Sequence, residues 1–213
     1  MEPPTEVFDR DDLLRGLVEH GVAGAEDFGR FVSNVTYLRP SNFDERAAMP
    51  VLIDALPRVH DPVLASTIAS HLRRAWARPA AYEALLSAFK RFGVGSSSTG
   101  WAIGDSLASA ATTKDAPELL RIVTNERFGT NRQMIVFSLH RFKSVVDVAA
   151  VLKTLTEDSE VSLHAMSAYR RTVGNEVARV HFEELRSKFP ASPIARQAEQ
   201  QITKIDKRGK SQG

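Results

Sequence analysis

Along the whole chain apolar residues return at three- and four-residue steps, and no stretch alternates apolar with polar long enough to make a strand. This pattern predicts a protein of helices and turns only. Two helix starts carry a capping oxygen followed by a proline, whose missing N–H costs nothing in a first turn: Asp61-Pro62 and Ser192-Pro193. Asp115 before Ala116-Pro117 and Asn175 before Glu176 read as further caps. Such signals cut the chain into helices of about a dozen residues.

Pairing these helices exposes a repeat. The first helix of each pair ends near His60, Phe92, Phe128, Glu157 and Phe189, so the turns follow one another by 32, 36, 29 and 32 residues. A spacing of this size belongs to helical solenoids. The second helices superpose as well: Ile103–Leu107, Ile135–Leu139 and His164–Ala168 align at offsets of 32 and 29, which places Ser106, Ser138 and Ser167 at one position. A small residue there lets neighbouring helices approach closely.

Several segments resemble the HEAT-repeat family. Ala48-Met-Pro-Val-Leu-Ile-Asp-Ala-Leu56 followed by Asp61-Pro-Val63 is similar to its proline-containing first helix and Asp-x-Val turn. Trp101-Ala-Ile-Gly-Asp105, Arg127-Phe-Gly129, Arg132-Gln-Met134 and Leu163-His-Ala165 resemble a bacterial HEAT-type pattern. The resemblance covers roughly residues 43–206 and implies an all-α fold, a right-handed α-solenoid of about five to six antiparallel helix pairs. It says little about chemistry, because such arrays serve many functions.

Residues 1–42 are expected to form N-terminal capping helices, one with Leu13, Leu14, Leu17 and Val18 on one side and a second from Ala25 to Val35. Gly93–Gly100 is a long glycine- and serine-rich connection. The basic tail, residues 207–213, lacks apolar residues and is expected to be disordered.

Composition narrows the class without naming a ligand. With 43% hydrophobic and 25% charged residues the chain is globular, and 28 basic against 26 acidic residues leave an excess too small to imply nucleic acid. The absence of cysteine removes disulfides, thiolate nucleophiles and zinc–cysteine sites. The acidic, proline-rich start does not read as a signal peptide, and no run approaches the roughly 18 apolar residues of a membrane helix. A cytoplasmic protein without membrane attachment is expected.

Candidate chemistry is sparse. Gly93–Gly100 lacks the Gly-Lys-Ser/Thr ending and the preceding strand of a phosphate loop, so it reads as a plain connection. None of the six histidines has the spacing of a paired metal site on one helix face, and no glycine-flanked nucleophile elbow occurs. No catalytic residue, metal, cofactor or small-molecule substrate is indicated.

The second helices carry the strongest binding candidates. If Leu72, Leu107 and Leu139 point into the stack, steps of about 100° put a column on the opposite face. It runs Ser66, Ser70 and Arg74; then Trp101, Asp105 and Ser109; then Gln133, Phe137 and Arg141; then Ser162, Met166 and Arg170. The resemblance implies that second helices line a concave surface, which makes this column a groove floor suited to a protein or peptide. Trp101, Phe137 and Met166 have the alternative of packing against adjacent repeats as core. Arg73, Arg74, Arg78, His140, Arg141, Lys143, Arg170 and Arg171 form a basic edge, matching either a solvated face or an acidic partner.

The expected function is therefore a non-catalytic scaffold or adaptor that binds a protein or peptide partner, with Arg74, Trp101, Asp105, Gln133, Phe137, Arg141, Met166 and Arg170 as groove residues. The alternative is a nucleic-acid-binding array. Trp101, Asp105 and Arg141 have a limited similarity to the concave residues of HEAT-like glycosylases that excise alkylated bases.

Overall fold

A computed structural model describes residues 8–28, 42–145 and 147–209. Among them are eleven α-helices: α1 (Arg10–Glu19), α2 (Glu45–Ala55), α3 (Pro62–Leu72), α4 (Tyr82–Phe92), α5 (Ser98–Ala110), α6 (Ala116–Val123), α7 (Gln133–Ser138), α8 (Val148–Leu155), α9 (Ser162–Val173), α10 (Asn175–Lys188) and α11 (Pro193–Gly209). Among the described residues there is no strand, only an isolated bridge between Phe8 and Val59. The all-α class expected from the hydrophobic period is what the chain adopts.

The chain divides into two compact units, Met1–Ala110 and Ala111–Gly213. Their boundary falls inside the segment 43–206 expected as one array. In the first unit α2 packs on α3, α4 on α5, and the second helices α3 and α5 pack on each other. In the second unit the pairs are α6 with α7, α8 with α9 and α10 with α11, and α9 also packs on α7, α10 and α11. The cores follow the predicted stripes: Leu52, Ile68, Leu72, Leu85, Phe89, Ile103 and Leu107 are fully buried in the first unit, and Leu119, Ile135, Leu139, Leu152 and Phe182 in the second. Each such side chain contributes about 1.5–3 kcal/mol through burial.

Local chemistry explains most boundaries. Asp61 Oδ1 accepts from the backbone N–H of Val63 at 2.7 Å, with Pro62 in the first turn of α3. Ser192 Oγ accepts from Ala195 N–H at 3.1 Å and caps α11. The other two expected caps act differently. The Asp115 carboxylate turns back to accept from Thr112 N–H and its hydroxyl, closing the 3₁₀ turn Thr113–Asp115 ahead of α6. Asn175 is the first residue of α10, and Gly174 at φ 90° occupies the cap position.

The connection expected at Arg127-Phe128-Gly129 is a longer 3₁₀ stretch, Glu126–Arg132, broken by Gly129 at φ 47° and ψ −139°. Ser106 and Ser138 are buried and donate to the Ala102 and Ile135 carbonyls, while Ser167 is half-buried. Near the N-terminus α1 forms on its predicted apolar side, with Leu13 and Leu17 buried but Val18 exposed. Of the second capping helix expected at residues 25–35, Ala25–Asp27 is a 3₁₀ turn and residues 29–35 lie outside the described residues. The tail differs from expectation: α11 continues to Gly209, because Ile202 and Ile205 bury and Asp206 pairs with Arg179 of α10. Residues 210–213 lie outside the described residues.

Candidate functional site

In the first unit the column residues are drawn into the structure, with one exception. Arg74 lies beyond the end of α3, where its Nε and Nη2 reach the two carboxylate oxygens of Glu45 on α2 at 2.8 Å each. Asp105 is only 7% exposed. Its Oδ2 stands 2.8 Å from Arg73 Nε, which ties the end of α3 to α5. Burial pushes the Asp105 carboxyl above its ordinary range, and Arg73 offsets part of that rise. Trp101, in the first turns of α5, keeps 37% of its surface exposed. Trp76, expected on the buried stripe with Leu72, is half-buried beneath the Arg46 guanidinium at 5.6 Å.

In the second unit the column divides. Gln133 Nε2 donates to the Glu160 carbonyl at 2.8 Å, which links the start of α7 to the start of α9. Phe137 is half-buried, with the Arg171 guanidinium over its ring at 4.6 Å and the His140 ring edge-on at 5.4 Å. Arg141 is exposed, donates to the Ala111 carbonyl at 2.9 Å and lies 5.2 Å from the Phe142 ring.

Two expected groove residues need correction. Met166 is 0% exposed and Arg170 only 7%. Both belong to a stripe of four-residue steps that begins at Ser162, whose hydroxyl donates to Gln197 of α11, and ends at Arg170, which donates to Asn175 of α10 at 3.4 Å. Because α9 is packed on both α10 and α11, that stripe faces protein. The open side of α9 is one residue further round, at Leu163, His164, Ser167 and Arg171.

The site that results is Phe137 with His140 and Arg141 from α7 and its 3₁₀ continuation, Leu139–Phe142, and Arg171 from α9. Arg171 forms no ion pair with a carboxylate among the described residues. The tautomer of His140 follows from its neighbour. Nδ1 stands 2.7 Å from the Phe137 carbonyl, which can only accept, so Nδ1 carries the hydrogen and Nε2 is left with its lone pair in the neutral ring. Burial holds the His140 pKa below its ordinary value. The carbonyl bond works against that shift, and the positive charges of Arg171 and Arg141 reinforce it. His164 is likewise held low by burial.

A residue that sequence spacing did not single out for a role is Arg132, 1% exposed at the head of α7. Its guanidinium donates to the Gly129 and Val123 carbonyls at 2.9 and 2.8 Å, and to Asp158 and Glu160 before α9 at 2.8 and 3.2 Å. The signal was the Asp158-x-Glu160 pair in the next turn. It became readable only once the turns were stacked.

Among the described residues no group of three or more histidines, aspartates and glutamates is placed to hold a metal ion, and no helix is long and apolar enough to cross a membrane. No protein-family model matches the chain, and comparisons with curated proteins and with solved structures return no match.

Proposed function

We propose that the chain is a non-catalytic, HEAT-type helical-repeat scaffold that works in the cytoplasm and binds an acidic segment of a protein partner through the Phe137 face. The solenoid reading, right-handed with about five to six helix pairs, is supported within each unit by consecutive second helices packing on one another, α3 on α5 and α7 on α9 on α11. The solvent side of α11, with Arg196, Glu199, Lys204 and Lys207, is the polar outer surface that a terminal repeat requires.

The observation that carries the binding reading is Arg171 over Phe137, a cation without a carboxylate among the described residues, seated on a half-buried aromatic ring. Aromatic and arginine side chains dominate binding hot spots, and an acidic ligand supplies the charge this face lacks. Elsewhere the arginines serve the fold, as Arg74 does with Glu45 and Arg73 with Asp105. The carboxylate that a glycosylase reading needs, Asp105, is committed to Arg73, so catalysis forms no part of the proposal.

The test is fluorescence anisotropy with a labelled glutamate-rich peptide, for the wild-type chain and for Arg171→Ala combined with Arg141→Ala. Binding by the wild type and its loss in the double variant, with helicity kept, support the scaffold. Duplex and single-stranded DNA are titrated alongside at two salt concentrations. Tighter binding of DNA with a steep salt dependence replaces the protein partner by nucleic acid.

A further inference from the structure

The chemistry of the Phe137 face is more specific than a patch of positive charge. Three groups with different hydrogen-bonding capacities meet there. Arg171 offers a planar fork of donors above the ring, and Arg141, exposed on the turn after α7, offers a second. His140 at the ring edge offers an acceptor, because the Phe137 carbonyl fixes the hydrogen on Nδ1 and leaves Nε2 with a lone pair. Nε2 has no hydrogen-bond partner among the described residues.

A carboxylate matches the two forks but not the acceptor, since it carries no proton near neutral pH. A phosphate monoester matches all three. It has three terminal oxygens, prefers bidentate arginine donors, and has a second ionisation near pH 6, so one proton can reside between a phosphoryl oxygen and Nε2. Building on the scaffold reading above, we propose that the Phe137 face takes a phosphorylated side chain of the partner segment, its oxygens bridging Arg171 and Arg141 and one of them sharing a proton with Nε2 of His140.

The proton balance gives this a signature. Before binding, His140 is neutral at pH 7, and the charges that act on it are Arg171 of α9 and Arg141 of its own turn; α7 and α8, also packed against that turn, add none. The free phosphate is mostly a dianion at that pH. The complex holds one proton on the phosphate–imidazole pair, so each binding event draws close to one proton from the buffer.

The experiment is calorimetry on the full chain at pH 7, in two phosphate-free buffers of different ionisation enthalpy. The probes are an acidic pentapeptide with a central phosphoserine, the same peptide with glutamate in its place, inorganic phosphate, and an oligothymidylate. The expected result is at least about tenfold tighter binding of the phosphopeptide than of the glutamate peptide, with proton uptake seen only for the former. His140→Asn keeps an amide donor for the Phe137 carbonyl and removes the acceptor. It should bring the phosphopeptide down to the affinity of the glutamate peptide, abolish the uptake, and leave glutamate-peptide binding and thermal melting unchanged.

Equal affinities without uptake overturn the phosphate inference while leaving the acidic-segment scaffold standing. If neither peptide binds, both readings fall. Inorganic phosphate binding as tightly as the phosphopeptide overturns a protein source for the group, and tighter binding of the oligothymidylate reassigns the face to nucleic acid.

Discussion

The two units treat the arginines of their second helices in opposite ways. In the first, Arg73 and Arg74 are each matched by a carboxylate, Asp105 and Glu45, and the pairs fasten helices to one another. In the second, Arg171 meets the face of Phe137 with no carboxylate among the described residues. The residue types are the same. What differs is whether an acid stands within reach, and that decides whether a guanidinium is spent on the fold or presented to a ligand.

The most damaging way to probe this contrast is Arg132→Ala. It strands the Asp158 carboxylate and two carbonyls around a buried site, and should destabilise the second unit by about 3–5 kcal/mol, read as a fall in the urea midpoint. Met166→Ala follows closely. A fully buried thioether replaced by methyl costs about 2–5 kcal/mol, and peptide affinity measured below the transition should not change. If Met166→Ala weakens binding without loss of stability, the corrected register of α9 is wrong.

Arg74→Ala should cost the first unit about 1–3 kcal/mol, because Glu45 loses both of its charged hydrogen bonds. Arg171→Ala should shift stability by less than about 0.5 kcal/mol while removing most of the acidic-peptide binding. Equal stability losses in these two variants would erase the distinction between the units.

The smallest expected effects come from pH and have opposite signs. His181 of α10 is buried against Thr156 at 2.9 Å, and its pKa is lowered chiefly by that burial. The unfolded chain therefore binds the proton first, so the second unit keeps this contribution above about pH 6.5 and loses it as the pH falls through the folded-state value. Asp105 is raised, so the folded first unit binds its proton first and gains stability as the solution is acidified toward its unfolded value near pH 3.9. Hydrogen exchange at pH 7 and pH 5.5 should show protection falling in α10, and Asp105→Asn should flatten the acid dependence in α5.

How much of this was legible in the sequence depends on the range of the forces involved. Caps at Asp61 and Ser192 were readable because the capping oxygen and its N–H lie within three residues. The buried stripes were readable because a helix repeats faithfully over two or three turns. The open face of α9 was misplaced by one residue for two reasons. The reference helix α7 tightens to 3₁₀ at Leu139–Phe142, so an angular step of 100° drifts there, and α9 is covered on a second side by α10 and α11. Arg132 and Arg170 were unreadable as buried residues because their partners lie on other helices or turns.

The reach of Arg132 has a consequence for motion. One guanidinium closes the Glu126–Arg132 turn on itself and simultaneously holds Asp158 and Glu160, 26 and 28 residues further along the chain. Neither turn can open without releasing the other, so the pair should behave as a single cooperative opening unit. Their amides are expected to exchange at a common rate, and a nick in one turn should expose its distant counterpart to protease.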